Sequence, residues 1–302
     1  MHQAFRRIFG PLILAACLAE AAVAAPAQAK LSAAEVITKN VAARGGLEAW
    51  RAVQTMSLSG TTAVGGNQRA TLQVPTQGQA TAVTRKPDKP AVPTRRLEEV
   101  YLPFLMELAR PHKMRFELQF KGQTALQVYD GANGWKLRPY LNRLEVEPYT
   151  ADEMKAASLG SELDGPLVDY AAKGTRVESD GIEKVEGRET YKLKLILKSG
   201  AVTHVWVDAQ TFLETKVEGQ PRRLDGVDHP VEVYYSDYRN VNGLQIPFVL
   251  ETRVLPVTKT ALGLRDTPVP PEKTLIEKVV INPKFDAGLF SKPAVPTKTA
   301  AK

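Results

Sequence analysis

The stretch Thr190–Val217 constrains this chain most, because it reads as three successive antiparallel strands. Tyr191, Leu193, Leu195 and Leu197 alternate with Lys192, Lys194, Ile196 and Lys198, the two-residue period of a strand with one buried face. Ser199-Gly200 follows, a turn pair whose glycine accepts φ > 0 without a Cβ clash. Closed as a two-residue loop, it sets Leu197 against Val202, Leu195 against His204 and Leu193 against Trp206, which gathers the bulky side chains on one face. Asp208-Ala209-Gln210-Thr211 makes the next turn, and Phe212 starts a third strand. A sheet with one oily face and one lysine-bearing face needs a cover, and the nature of that cover is the functional question.

Residues 1–29 read as an export signal. Arg6 and Arg7 precede the short apolar run Ile8–Ala16, and Ala22-Val23-Ala24 and Ala27-Gln28-Ala29 are both small-x-small cleavage sites. The run is too short to span a membrane. Leu14-Ala15-Ala16-Cys17 also resembles the box at which bacterial lipoproteins are cleaved and acylated, so two forms stay open: a free periplasmic protein, or one anchored by lipid at the outer membrane through Cys17. In the free form no cysteine remains, and a large core must supply the stability that disulfides cannot. The net charge of +7 is no sign of a nucleic-acid partner in an exported chain.

Two capping boxes mark helices. Ser32-Ala33-Ala34-Glu35 opens one that Gly45-Gly46 closes, and Thr150-Ala151-Asp152-Glu153 opens one that Gly160 closes. Leu47–Val53 reads as a short helix between them. Strands are expected at Met56–Gly60, Phe104–Leu108 (Pro103 argues against a helix there) and from Met114 to Phe120. Lys121-Gly122 turns the last of these into a return strand; a three-residue loop pairs Leu118 with Leu126 and Phe116 with Val128. Further strands are expected at Val231–Tyr238, at Leu244–Leu255 after the Asn242-Gly243 turn, and at Thr274–Ile281. Residues 64–95 and 256–273 read as long loop insertions, with one strand at Ala70–Val74, and 294–302 as a loose tail. The sum is an α+β chain with about ten antiparallel strands and helices on one face.

Signs of catalysis are weak. His112, His204 and His229 stand in no metal-ligand spacing, and neither a nucleophile elbow nor a phosphate-cradling glycine loop is present. His204 and Asp208 would make an acid/base pair only across about 13 Å of strand, so an ordinary sheet histidine beside a turn aspartate is the better reading. Lys192, Lys194 and Lys198, with Arg222-Arg223, form either a solvated surface or a contact for anionic headgroups.

Several stretches taken in order resemble the outer membrane lipoprotein-sorting proteins of the lipoprotein-carrier (LolA/LolB-like) superfamily. They are Ala43-Arg44-Gly45-Gly46-Leu47-Glu48-Ala49-Trp50, Arg110-Pro111-His112-Lys113-Met114-Arg115, Tyr129-Asp130-Gly131-Ala132-Asn133-Gly134-Trp135 and Asp164-Gly165-Pro166-Leu167-Val168-Asp169-Tyr170. Asp237-Tyr238-Arg239, Asn242-Gly243-Leu244-Gln245-Ile246-Pro247, Asn282-Pro283 and Phe290 complete the set. The resemblance implies one domain over 30–293, built as an incomplete antiparallel β-barrel with helices covering its open side. It implies a non-enzymatic, monomeric envelope protein that binds a lipid or the acyl chains of a lipoprotein in a hydrophobic cavity, without cofactor or metal, with a membrane surface as a further partner. Phe116, Leu118, Leu126, Leu193, Leu195 and Trp206 are the expected lining. An enzyme, or a fully packed structural protein on the same scaffold, is the alternative.

Overall fold

The computed structural model describes residues 31–64, 100–139, 143–224, 226–258 and 269–294. The export signal, Cys17, the strand at Ala70–Val74, most of both loop insertions and nearly all of the tail lie outside the described residues. Among the described residues there are three α-helices: α1 (Ala33–Ala43), α2 (Leu47–Ala52) and α3 (Ala151–Gly160). The strands are β1 (Thr55–Val64), β2 (Val100–Ala109), β3 (Lys113–Phe120), β4 (Gln123–Tyr129), β5 (Gly134–Arg138), β6 (Arg143–Pro148), β7 (Arg176–Val185), β8 (Arg188–Ile196), β9 (Val202–Asp208) and β10 (Glu214–Glu218). They continue with β11 (Arg222–Leu224), β12 (Val227–His229), β13 (Val231–Val241), β14 (Leu244–Val254) and β15 (Glu272–Ile281).

Thirteen strands form one antiparallel sheet in the order β6-β5-β4-β3-β2-β1-β15-β14-β13-β10-β9-β8-β7, and β11 and β12 form a separate pair. The sheet does not close: β6 and β7 are its edges. The count exceeds the expected ten because β5, β6 and the β11–β12 pair are short or heavily charged, which hides a two-residue period. Pro103 sits inside β2, yet it lies beyond the last residue of β2 that pairs with β3, so its missing N–H deprives β3 of nothing.

Both capping boxes form. Ser32 and Glu35 exchange side-chain and backbone hydrogen bonds at the start of α1, and Thr150 and Glu153 do the same for α3. The main core lies on one face of the sheet, called here the inner face. Trp50 and Val53 from the α2 segment and Ala157 of α3 meet Met56, Phe104, Leu108, Met114, Tyr129, Ile246, Phe248 and Ile276. On the opposite, outer face Val128 and Ala109 pack with Phe290, flanked by Trp135, Phe285 and Leu289. The chain's final described segment thus covers the outer face of β2–β5, so both faces are apolar there.

Two hairpin registers differ from expectation. The β3–β4 loop has two residues, Lys121 and Gly122, both left-handed at φ 47° and 73°, which is the turn that matches strand twist. Phe116 therefore pairs with Gln127 and Leu118 with Ala125, while Leu126 faces Glu117. The β8–β9 loop is longer than two residues: Leu197 N–H donates to Ala201 O, and Gly200 takes φ 83°. Leu193 pairs with Val205, Leu195 with Thr203 and Lys192 with Trp206. Each one-residue change moves a whole set of side chains to the other face.

Candidate functional site

Those registers divide the expected lining. Phe116 and Leu118 lie on the inner face, where Phe116 stacks on Phe104 at 5.9 Å. Leu193 and Leu195 are fully buried and share that face, through the chain of pairings Leu193–Val205, Val205–Val217 and Val217–Val233. Leu126 and Trp206 point the other way. Leu126 stands opposite Leu137 on the outer face. Trp206 is held among charges: its Nε1 donates to Glu183 at 2.6 Å and the Lys216 ammonium sits 3.8 Å from its ring centre.

A pocket of about 330 Å³ opens between α3 and the inner face of β3–β5, lined by Met114, Gln127, Lys136, Arg138, Tyr149, Glu153, Ala156 and Ala157. Met114 and Ala157 also belong to the main core, so the pocket adjoins it. None of the residues expected from sequence lines it. Local sequence explains how its polar wall is built. Glu153, fixed by the Thr150 capping box, accepts from the buried Lys136 ammonium at 2.7 Å. Burial pushes the Glu153 carboxyl up, but hydrogen bonds from Lys136 and Thr150 outweigh it and hold the group below its ordinary range. Tyr149 packs against Gly134: a Cβ there would fall 1.9 Å from its ring. Burial, and then the Glu153 charge, push the Tyr149 hydroxyl well above its ordinary range. Arg138 pairs with Glu147 at 2.8 Å through Nη2. Its Nε and the Tyr149 hydroxyl are both buried and have no hydrogen-bond partner among the described residues. Only the capping box and the glycine before Trp135 hinted at this wall in the sequence.

A second polar cluster ties the helices to the sheet. Arg44, the C-cap of α1, donates to Asp164 O at 2.8 Å and to the Glu214 carboxylate at 3.2 Å, while its guanidinium lies 4.4 Å from the Trp50 ring centre. Its carbonyl accepts from Trp50 Nε1 and Gln245 N. Asp164, 1% exposed, takes Arg110 at 2.6 Å on one oxygen and Lys173 on the other. Tyr238 donates to Glu214 O, Arg51 pairs with Asp169 at 2.7 Å, and the Asn282 side chain accepts from Gln54 N. Gly45 passes so close to Gly243 O that a Cβ would stand 2.5 Å away. The motifs that carry the family resemblance converge here, the turns at Asp130 and the outer-face Phe290 excepted. They join segments, and of their residues Met114 lines the pocket as well.

Other expected chemistry is resolved by partners. His204 sits 2.8 Å from Glu218 and 3.5 Å from Asp180, whereas Asp208 accepts from Gln210 N and Thr211 N, so the two form no pair. Lys192, Lys194, Arg222 and Arg223 each lie within 4 Å of a carboxylate. Among the described residues no group of three His, Cys, Asp or Glu side chains is placed to hold a metal ion. Among them, too, no helix is long and apolar enough to cross a membrane.

Solved structures resemble this chain. One is a domain described as an outer membrane lipoprotein-sorting protein, from Vibrio parahaemolyticus, 12% identical, with 85% of this chain and 95% of that one covered at a TM-score of 0.47. A LolA superfamily protein from Nitrosomonas europaea is 11% identical over 87% of this chain and 99% of its own, also at 0.47. A DUF1329 family protein from Desulfovibrio piger is 10% identical over 85% and 96%, at 0.46. The first two carry the names to which the sequence motifs pointed. No protein-family model matches the sequence, and no curated protein matches it significantly.

Proposed function

We propose that this chain is a non-enzymatic protein of the bacterial envelope that shelters a lipid, or the acyl chain of a lipoprotein, between α3 and the inner face of the sheet. In this reading the sheet is an incomplete barrel, the helices lie on its open side, and the mature protein works in the periplasm. The observation that carries it is the pocket: an opening of about 330 Å³ whose apolar side, Met114, Ala156 and Ala157, runs into the main core. That volume is at the low end for ligand sites, which run from about 300 to 1,000 Å³. A long chain therefore needs α3 to shift. The helix is suited to this, since Ala157 is its one buried residue. Phe116 and Leu118 lie further along the same face of β3, toward the Lys121-Gly122 turn, and would line the enlarged space, with Leu193 and Leu195 further across the sheet. Each methylene buried would contribute about 0.8 kcal/mol, so binding needs no charged anchor. Leu126 and Trp206 face the other way and leave the proposed lining.

The test is purification from membranes, lipid extraction and mass spectrometry, with uptake of a fluorescent fatty acid by the emptied protein. Recovered lipid and saturable uptake are expected; an empty protein that takes up nothing overturns the proposal. The polar wall of the pocket favours a second reading, an enzyme on the same scaffold. Against it, Lys136 and Glu153 neutralise each other, and Glu153 and Tyr149 are shifted in opposite directions away from neutrality.

A further inference from the structure

We infer that the β5–β6 edge of the pocket carries an anion site, at which Arg138 and Arg143 together take a carboxylate or a phosphate group. This rests on the reading of the pocket as an amphiphile site, and it adds the charge of the head that the site selects. Arg138 lines the pocket, and Arg143 is its direct partner across β5 and β6, so the two side chains stand on the same side of the sheet. Like charges so placed repel unless an anion lies between them. Glu147 serves both: it accepts from Arg138 Nη2 at 2.8 Å and from Arg143 Nη1 at 3.4 Å on each of its oxygens. Among the described residues it is the one carboxylate within 4 Å of either guanidinium. The neighbouring Lys136 is matched by Glu153. Three cations on this wall thus face two anions. The Arg138 hydrogen bond, ahead of the charges of Arg143 and Lys136, holds the Glu147 carboxyl below its ordinary range, so this carboxylate belongs first to Arg138. Arg143 is left with a long contact through one nitrogen, on a side chain that is half exposed. Its Nη2 and Nε, and Arg138 Nη1, make no hydrogen bond among the described residues. Guanidinium nitrogens presented in this way match the paired oxygens of a carboxylate or phosphate. A second anion beside Glu147 gives each arginine its own partner and removes the repulsion across the two strands. Met114, Ala156 and Ala157 give the same pocket its apolar surface, so a head held at this edge leaves the first methylenes of its chain against them. Burial of the chain needs no anchor; the arginine pair decides which head is held.

The experiment uses the emptied full-length mature protein and calorimetric titration at low ionic strength. The probes are a medium-chain fatty acid in its ionised form, the primary alcohol of equal length, the alkyl phosphate of equal length, and inorganic phosphate. The fatty acid and the alkyl phosphate are expected to bind about tenfold more tightly than the alcohol, the value of one charge-assisted hydrogen bond. At an edge open to solvent that gap should shrink in about 1 M salt, where the screening length is about 3 Å. Arg143→Gln should bring the fatty acid down to the alcohol's affinity with the urea midpoint unmoved; a purely structural arginine would move the midpoint and keep the gap. Glu147→Gln, which takes the shared carboxylate from both arginines, should widen the gap and steepen its salt dependence, and so tests the site from the opposite direction. Inorganic phosphate that binds as tightly as the alkyl phosphate supports the site with a free ion as its source; phosphate that binds far more weakly supports it with an amphiphile's head as the source. Equal affinity for acid and alcohol, or a gap that neither salt nor either variant moves, overturns the inference, while the amphiphiles still bind and the proposed function stands. If inorganic phosphate binds and the fatty acid and alcohol do not, the anion site stands and the proposed function falls; if nothing binds, both fall.

Discussion

At the scale of single residues, stability and binding depend on different polar groups. Asp164 is buried between two cations, and replacing it by asparagine takes the counter-charge from Arg110, while Lys173 keeps Glu162 at 2.7 Å. Breaking a buried pair in this way costs about 3 kcal/mol, read as a shift of the urea midpoint. The same group governs acid stability. Burial would raise its carboxyl, but Lys173 and Arg110 outweigh that and hold it below its ordinary 3.8. A lowered folded-state value means the stabilisation is complete above 3.8 and disappears as the pH falls through the folded value. Acid titration should therefore unfold the native protein in that range, and Asp164→Asn should flatten that part of the profile. Gly134 acts on the pocket instead: Gly134→Ala would drive a methyl into the Tyr149 ring, costing about 2 kcal/mol and abolishing uptake of a bound amphiphile. The sequence motifs contain Arg44, Arg110 and Asp164, but neither their burial nor their pairing was legible there. Arg44, Asp164 and Glu214 are residue types that normally read as surface, and no periodicity marks a charge as buried when its partners lie 120 or 170 residues away.

At the scale of elements, what is local in sequence could be read and what depends on loop length could not. Both capping boxes form because their residues lie three apart and need no tertiary partner. The two hairpins were harder. Val205, Trp206 and Val207 are successive and all buried, so apolarity alone cannot say which face Val205 shares with Leu193. The left-handed pair Lys121-Gly122 and the longer turn ending in Gly200 decide it. Val128 likewise is apolar because Phe285–Phe290 cover it on the outer face, and Leu126 because it meets Leu137 there. For α3 the elements imply a dynamic prediction. Thr150→Ala removes the N-cap, costs the helix about 1 kcal/mol and frees Glu153 from one of its hydrogen bonds. Amide hydrogen exchange should quicken in α3 while the strands β1 and β2, each paired on both sides, keep their protection. If α3 is the moving cover, amphiphile uptake should speed up in the same variant.

On the scale of the whole molecule, the open sheet serves two purposes on its two faces, and they can be separated. The inner face meets the helices and carries the pocket; the outer face of β2–β5 is sealed by the C-terminal segment, with Phe290 against Val128 and edge-on to Phe285 at 5.7 Å. Phe290→Ala would leave a void there. Truncation of a buried phenylalanine costs about 3 kcal/mol, set by how far the site can collapse. Its site is bounded by Ala109, Val128 and Trp135, and among these Val128 and Trp135 lie directly opposite each other across β4 and β5. The strands that hold Gln127, Lys136 and Arg138 toward the pocket are the same ones, but their inner-facing side chains lie across the sheet from the void. Phe290→Ala should therefore lower the urea midpoint while leaving the affinity for the fluorescent fatty acid within about twofold, a change of less than 0.5 kcal/mol. Gly134→Ala should reduce both. A Phe290→Ala protein that binds as weakly as Gly134→Ala would mean that the two faces are coupled through the strands, and that the C-terminal segment takes part in holding the cargo.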